Sequence, residues 1–204
     1  MRIKLFTRHP SDGWGPVLLK SWMPAFAGMT VAIILMSLTG CSVLKGKSTQ
    51  NIVQEAQAKG FKRAEVRTKT FKLTTWRRVT NPDLPLVIYI EGDGHSVEHR
   101  RPSHNPTPHQ PLALELAQRD PRANVIYLAR PCQFTPLMSD RLCEQKYWFT
   151  HKFSPEVVES TIEVIHYFRK LNSNKSLHLI GFSGGGGLAA LVAAKIEGVA
   201  SLTT

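Results

Sequence analysis

"LHLIGFSGGGGLAALVAAK", residues 177–195, sets an apolar run against a serine and four glycines, then continues as an alanine-rich stretch. A short apolar run bounded by glycine reads as a strand buried on both faces, and the alanine-rich segment reads as a helix. Working back along the chain, the same alternation recurs. "NVIYLAR" and "LPLVIYIEG" are further buried strands, and "QPLALELAQRD" is a helix between them. Ser154-Pro155 opens the strongest helix, with serine as N-cap and proline at the first helical position. Its apolar stripe is Val158, Ile162, Ile165 and Phe168. "KRAEVRTKTFKLTTWRRV" reads as two strands, an antiparallel pair, and "NIVQEAQAKGF" as a short helix ended by Gly60. "GVASLTT" begins one more strand. Strands alternating with helices predict an α/β fold with a doubly wound, mostly parallel sheet.

Gly181-Phe182-Ser183-Gly184-Gly185 forms a G-x-S-x-G pentapeptide between the predicted strand and helix. A serine on so sharp a turn is held in a strained backbone conformation with its hydroxyl above the sheet. Glycines two before and two after leave room where any Cβ would clash. The N–H of Gly184, at the helix N-terminus, would point where an oxyanion develops. A phosphate loop requires Gly-Lys-Ser/Thr after its last glycine, and here Gly187 precedes Leu188. A dinucleotide fingerprint requires glycine in the place of Ser183 and sits on a first strand.

A second glycine-punctuated turn, Glu91-Gly92-Asp93-Gly94-His95, follows the third predicted strand. With the elbow, this loop makes the sequence resemble the α/β-hydrolase superfamily. More narrowly, "YIEGDGH", "ARPCQF", "YW" before "FSPEVV", and "GFSGGGG" resemble bacterial lipoprotein hydrolases over roughly residues 60–204. The resemblance implies Ser183 as nucleophile. It also implies an oxyanion hole made by the Gly184 N–H with an N–H of Asp93 or Gly94. It implies ester, thioester or amide substrates without choosing among them, and no cofactor.

The family's triad runs Ser, then Asp/Glu, then His. After Ser183 the sequence holds no aspartate or histidine, and its only acid is Glu197. The expectation is therefore an α/β-hydrolase domain represented by its N-terminal part, hydrolysing little or nothing as the 204-residue chain. A non-catalytic envelope lipoprotein that uses the domain as a binding surface is the alternative.

The N-terminal segment reads as an address. Val31-Ala32-Ile33-Ile34-Leu35-Met36 is too short to span a bilayer and runs into Leu38-Thr39-Gly40-Cys41, which resembles the bacterial lipobox. Met1 keeps the basic residues Arg2, Lys4, Arg8 and Lys20 ahead of that run, whereas starts at Met23 or Met29 do not. The expected organisation is a signal peptide over 1–40, lipidated Cys41 with a tether and short helix to 59, and the hydrolase domain over 60–204. Ser42 after the cysteine favours the outer membrane. With Cys41 acylated, Cys132 and Cys143 remain as an even pair, which in an oxidising periplasm predicts a disulfide.

Lys and Arg outnumber Asp and Glu by 26 to 15, a formal charge of +11. The basic residues are scattered as singles and pairs without an aromatic platform, which argues against nucleic acid and for a solvated surface that favours an anionic membrane. His95, His99, His104 and His109 are spaced four, five and five apart in a proline-broken loop and do not form a metal-ligand pattern. One prediction concerns the anchor. Metabolic fatty-acid labelling should mark the wild type and not Cys41→Ala; equal labelling of the two rules out lipidation at this residue.

Overall fold

The computed structural model describes residues 46–136 and 142–204. The leader, Cys41 and the start of the tether lie outside the described residues. Six strands form one sheet in the order β1-β2-β6-β3-β7-β8. They are β1 (Lys62–Arg67), β2 (Lys72–Val79), β3 (Leu86–Ile90), β6 (Asn124–Leu128), β7 (Leu177–Gly181) and β8 (Val199–Thr203). A small hairpin, β4 (Val97–Glu98) with β5 (Arg101–Pro102), stands apart from it. β1 and β2 pair antiparallel, as do β2 and β6, whereas β6, β3, β7 and β8 run parallel. The helices are α1 (Thr49–Ala58), α2 (Leu112–Ala117), α3 (Pro155–Lys170) and α4 (Gly184–Ala193), with a 3-10 turn over Gln145–Trp148.

Continuous apolar runs make the central strands because both of their faces are covered. Every residue of β3 and of β6 is buried. Alternate residues then supply two separate cores. Ile88, Ile90, Ile126, Leu128, Leu177 and Leu179 pack with α3 and α4 through Val157, Ile165, Leu188 and Val192. Val87, Tyr89, Val125 and Tyr127 pack with α1 and α2 through Ile52, Ala56, Leu114 and Ala117. All four residues of the predicted α3 stripe are buried. Ser154 occupies the N-cap with Pro155 behind it, but its hydroxyl makes no capping bond to the helix backbone.

The folded unit starts earlier than the boundary at residue 60 read from sequence. Ile52 and Ala56 of α1 are fully buried, and Gln118 donates to the Ile52 carbonyl at 2.9 Å, so α1 is a layer of the domain rather than part of a tether. Ser48 caps α1 by accepting from the Asn51 N–H, and Gly60, at φ +82°, lets the chain leave the helix in a left-handed conformation. Among the described residues no helix is long and apolar enough to cross a membrane.

From β3 the chain crosses through α2 to β6 on one side; from β6 it crosses through α3 over to β7 on the other. Crossovers of one hand that travel in opposite directions place their helices on opposite faces, as observed for α2 and α3. β7 then continues outward through α4 to β8. The connections leaving β3 and β7 thus diverge, and the carboxyl ends of this adjacent pair form the topological switch point where open α/β sheets bind ligands. Ile88 at the centre of β3 is fully buried. Ile88→Ala should lower unfolding free energy by about 2–5 kcal/mol in urea titration, as for other buried truncations; an unchanged midpoint would contradict the packing described.

Candidate functional site

β7 ends at Gly181 and α4 begins at Gly184, so Phe182 and Ser183 alone make the turn. Ser183 has φ 54° and ψ −123°, a strained conformation for a residue with a side chain. Two backbone bonds hold it there: Gly185 N–H donates to the Phe182 carbonyl and Gly186 N–H to the Ser183 carbonyl, each at 2.8 Å. The flanking glycines are a packing requirement. A Cβ at Gly181 would lie 2.3 Å from the Gly185 oxygen, and one at Gly185 would lie 2.4 Å from the Ile90 oxygen. Ser183 is exposed, and no described residue hydrogen-bonds its hydroxyl.

The loop after β3 packs directly on this turn. A Cβ at Gly92 would sit 3.1 Å from the Phe182 oxygen and 3.3 Å from Ser183 Cβ. Gly94 has φ +65° and lies against the Pro106 carbonyl, which accepts from the His95 N–H at 3.0 Å. The Gly92 N–H is already engaged, donating to Glu91 Oε1 at 2.9 Å. Among the described residues the N–H groups of Asp93 and Gly94 have no acceptor. Gly184, as the first residue of α4, likewise has no intrahelical acceptor for its N–H. The structure therefore brings the four sequence-predicted residues Ser183, Gly184, Asp93 and Gly94 to one corner of the sheet.

Three residues beneath that corner were not identified as functional from sequence. Arg130, after β6, has a side chain only 5% exposed and donates to Asp93 Oδ1 at 2.7 Å. It also donates to the Lys152 carbonyl, and Lys152 Nζ reaches Asp93 Oδ2 at 2.5 Å. Gln133 accepts from the Arg130 N–H at 3.1 Å and donates to the Gly92 carbonyl at 3.0 Å. "ARPCQF" contains two of these residues, but its only sequence-level signal was resemblance. Cys132, buried between them, is disulfide-bonded to Cys143 with a Cα separation of 5.4 Å. The segment carrying Gln133 is thereby tied down.

Glu91 is the other unforeseen group. It is 2% exposed, and its Oε1 accepts from the Gly92 N–H at 2.9 Å. Burial outweighs the Gly92 N–H, the Tyr127 hydroxyl and the N–H groups of Ala113 and Leu114, and pushes the Glu91 carboxyl up to about 7. Burial, with the nearby Glu91 charge, raises the Tyr127 hydroxyl well above its usual range.

The histidines are dispersed. His95 stacks on His109 with ring centroids 4.4 Å apart, and its Nε2 lies 3.8 Å from Glu98. His178 Nδ1 is 2.7 Å from Ser201 Oγ, between β7 and β8. His151 Nδ1 meets Thr150, His166 lies on α3, and His99 and His104 line a shallow cleft by the β4–β5 hairpin. Among the described residues no three His, Cys, Asp or Glu side chains converge to hold a metal.

No family model and no curated protein matches the chain. Similar solved structures include Est1E from Butyrivibrio proteoclasticus, at 18% identity over 65% of this chain and 45% of that one, TM-score 0.40. Esterase LipW from Mycobacterium marinum is 18% identical over 83% of this chain and 47% of its own, TM-score 0.40. The Pyrobaculum calidifontis esterase is 15% identical over 79% and 52%, TM-score 0.41. The chain thus spans about half the length of these structures.

A pH dependence follows from Glu91. A carboxyl raised in the folded state from 4.5 to about 7 contributes its full stability below pH 4.5 and loses it as pH rises through about 7. Glu91→Gln keeps an acceptor for Gly92 and removes the titration. Across that window the wild type should lose roughly 3 kcal/mol relative to the variant. Parallel stability profiles in urea titrations at pH 4.5 and pH 8 would refute the assignment.

Proposed function

We propose that the protein is a serine hydrolase of the α/β-hydrolase type, with Ser183 as nucleophile and the N–H groups of Gly184 and of Asp93 or Gly94 as the oxyanion hole. The observation that carries this reading is the strained Ser183 backbone, at φ 54°, packed against a glycine loop whose next two N–H groups have no acceptor among the described residues. In the reaction, Ser183 Oγ bonds to the carbonyl carbon as its hydroxyl proton passes to an acceptor. The carbonyl electrons move onto oxygen and are stabilised by the converging N–H groups. Collapse breaks the bond to the leaving group, which departs with the proton. Water then repeats the sequence on the acyl-serine, releasing an acid and free Ser183.

A serine hydroxyl at neutral pH needs a positioned proton acceptor, and an oxyanion hole without one still leaves about 10³–10⁴-fold acceleration over water. Esters, thioesters and amides are all compatible with this corner. The Leu38–Cys41 signature supports a lipid-anchored placement at the bacterial envelope, and Ser42 after the cysteine favours the outer membrane, facing the periplasm. The test is fluorophosphonate labelling of the full chain, with imidazole supplied as a soluble proton acceptor. Labelling should be lost at least about a hundredfold in Ser183→Ala. An unlabelled wild type, or labelling that survives Ser183→Ala, overturns the reading and favours a binding surface instead.

A further inference from the structure

The oxyanion corner contains a carboxylate that opposes its proposed use. Asp93 Oδ1 lies 2.1 Å from where a Cβ of Gly184 would be, so the carboxylate sits on the first residue of α4. That position already draws negative charge toward the helix N-terminus. An oxyanion forming on the adjacent N–H groups would meet a like charge a few ångströms away. In a partly dehydrated site such repulsion is far larger than in water.

Two cations answer it, one on each carboxylate oxygen. Arg130 holds Oδ1 at 2.7 Å and Lys152 holds Oδ2 at 2.5 Å. The group of three carries a net charge of +1 (two cations less one anion). Arg130 is fixed by burial and by its bond to the Lys152 carbonyl, whereas Lys152 remains about a third exposed at the mouth. Phe153 lies beneath both, its ring 5.1 Å from Arg130 Cζ and 5.7 Å from Lys152 Nζ. A Cβ at Gly187 would lie 3.3 Å from the ring, so the clamp sits beside the helix that carries the elbow.

We propose that Lys152, together with Arg130, is a positioning residue of the reaction: it neutralises Asp93 and holds its carboxylate aside, so that negative charge can build on a carbonyl oxygen that accepts from the Asp93–Gly94 and Gly184 N–H groups. This rests on the hydrolase reading above and adds residues that the elbow alone does not identify. Lys152 acts through Asp93 and does not need to touch substrate.

The test is the rate of Ser183 labelling by a fluorophosphonate, with imidazole present, in the full chain. Lys152→Met should slow labelling by on the order of tenfold to a hundredfold, and Lys152→Arg should stay near wild type. Adding Asp93→Asn to Lys152→Met should restore the rate to that of Asp93→Asn alone, because the charge needing compensation is gone. A purely structural Lys152 would leave the double variant as slow as Lys152→Met. Lys195→Met, which makes the same charge change at a surface pair with Glu159, should label as wild type. A wild-type rate in Lys152→Met, or a double variant no faster than Lys152→Met, overturns this proposal alone. A wild type without Ser183-dependent labelling overturns the hydrolase reading and this proposal together.

Discussion

The first turn of α4 is pressed onto the carboxyl end of β3, and the rest of the site depends on that contact. At Gly185 the helix backbone comes so near the Ile90 and Glu91 carbonyls that no side chain fits between them. Such close approach draws β7 and β3 together at their ends and leaves only two residues for the turn. The turn can close within that space only if Ser183 takes a positive φ. Three consequences follow from one steric condition: a strained serine, an exposed hydroxyl and a helix N-terminus open to a charge.

The loop after β3 is placed by different forces. Its glycines let it lie on the elbow, but its orientation comes from polar side chains below. Gln133 holds the Gly92 carbonyl, Glu91 takes the Gly92 N–H, and Asp93 is gripped by Arg130 and Lys152. These groups come from the loop after β3 and from the two ends of the β6–α3 connection. Within this network Glu91 is almost fully buried, so its charged form loses most of its hydration. Its raised protonation range is the physical result.

Much of this was legible in the chain. The buried strands announced themselves as continuous apolar runs, and Gly60 and Ser154-Pro155 marked helix ends. G-x-S-x-G read correctly as a strand-to-helix turn because steric demands are local and leave glycines as their trace. The role of α1 was not legible. Its two buried residues, Ile52 and Ala56, make a stripe too thin to distinguish a docked helix from a solvated one. The clamp was hidden for another reason. Asp93, Arg130 and Lys152 are ordinary surface-type residues, and only the fold, which brings the loop after β3 to both ends of the β6–α3 connection, makes them partners. Nothing in their spacing encodes that meeting.

The register at the centre of the sheet bears on how the molecule is made. Leu86 pairs with Leu177, 91 positions later (177 − 86), and Ile90 pairs with Gly181. Closing so long a loop must precede the contacts that reward it, so this pairing belongs to the slow part of folding. The β1–β2 hairpin and α3 rest on neighbours in sequence and can form ahead of it. Neither brings Gly92 to Phe182. The corner at Ser183 therefore depends on long-range pairing: the strained turn and the glycine loop packed on it meet only where β3 and β7 have joined.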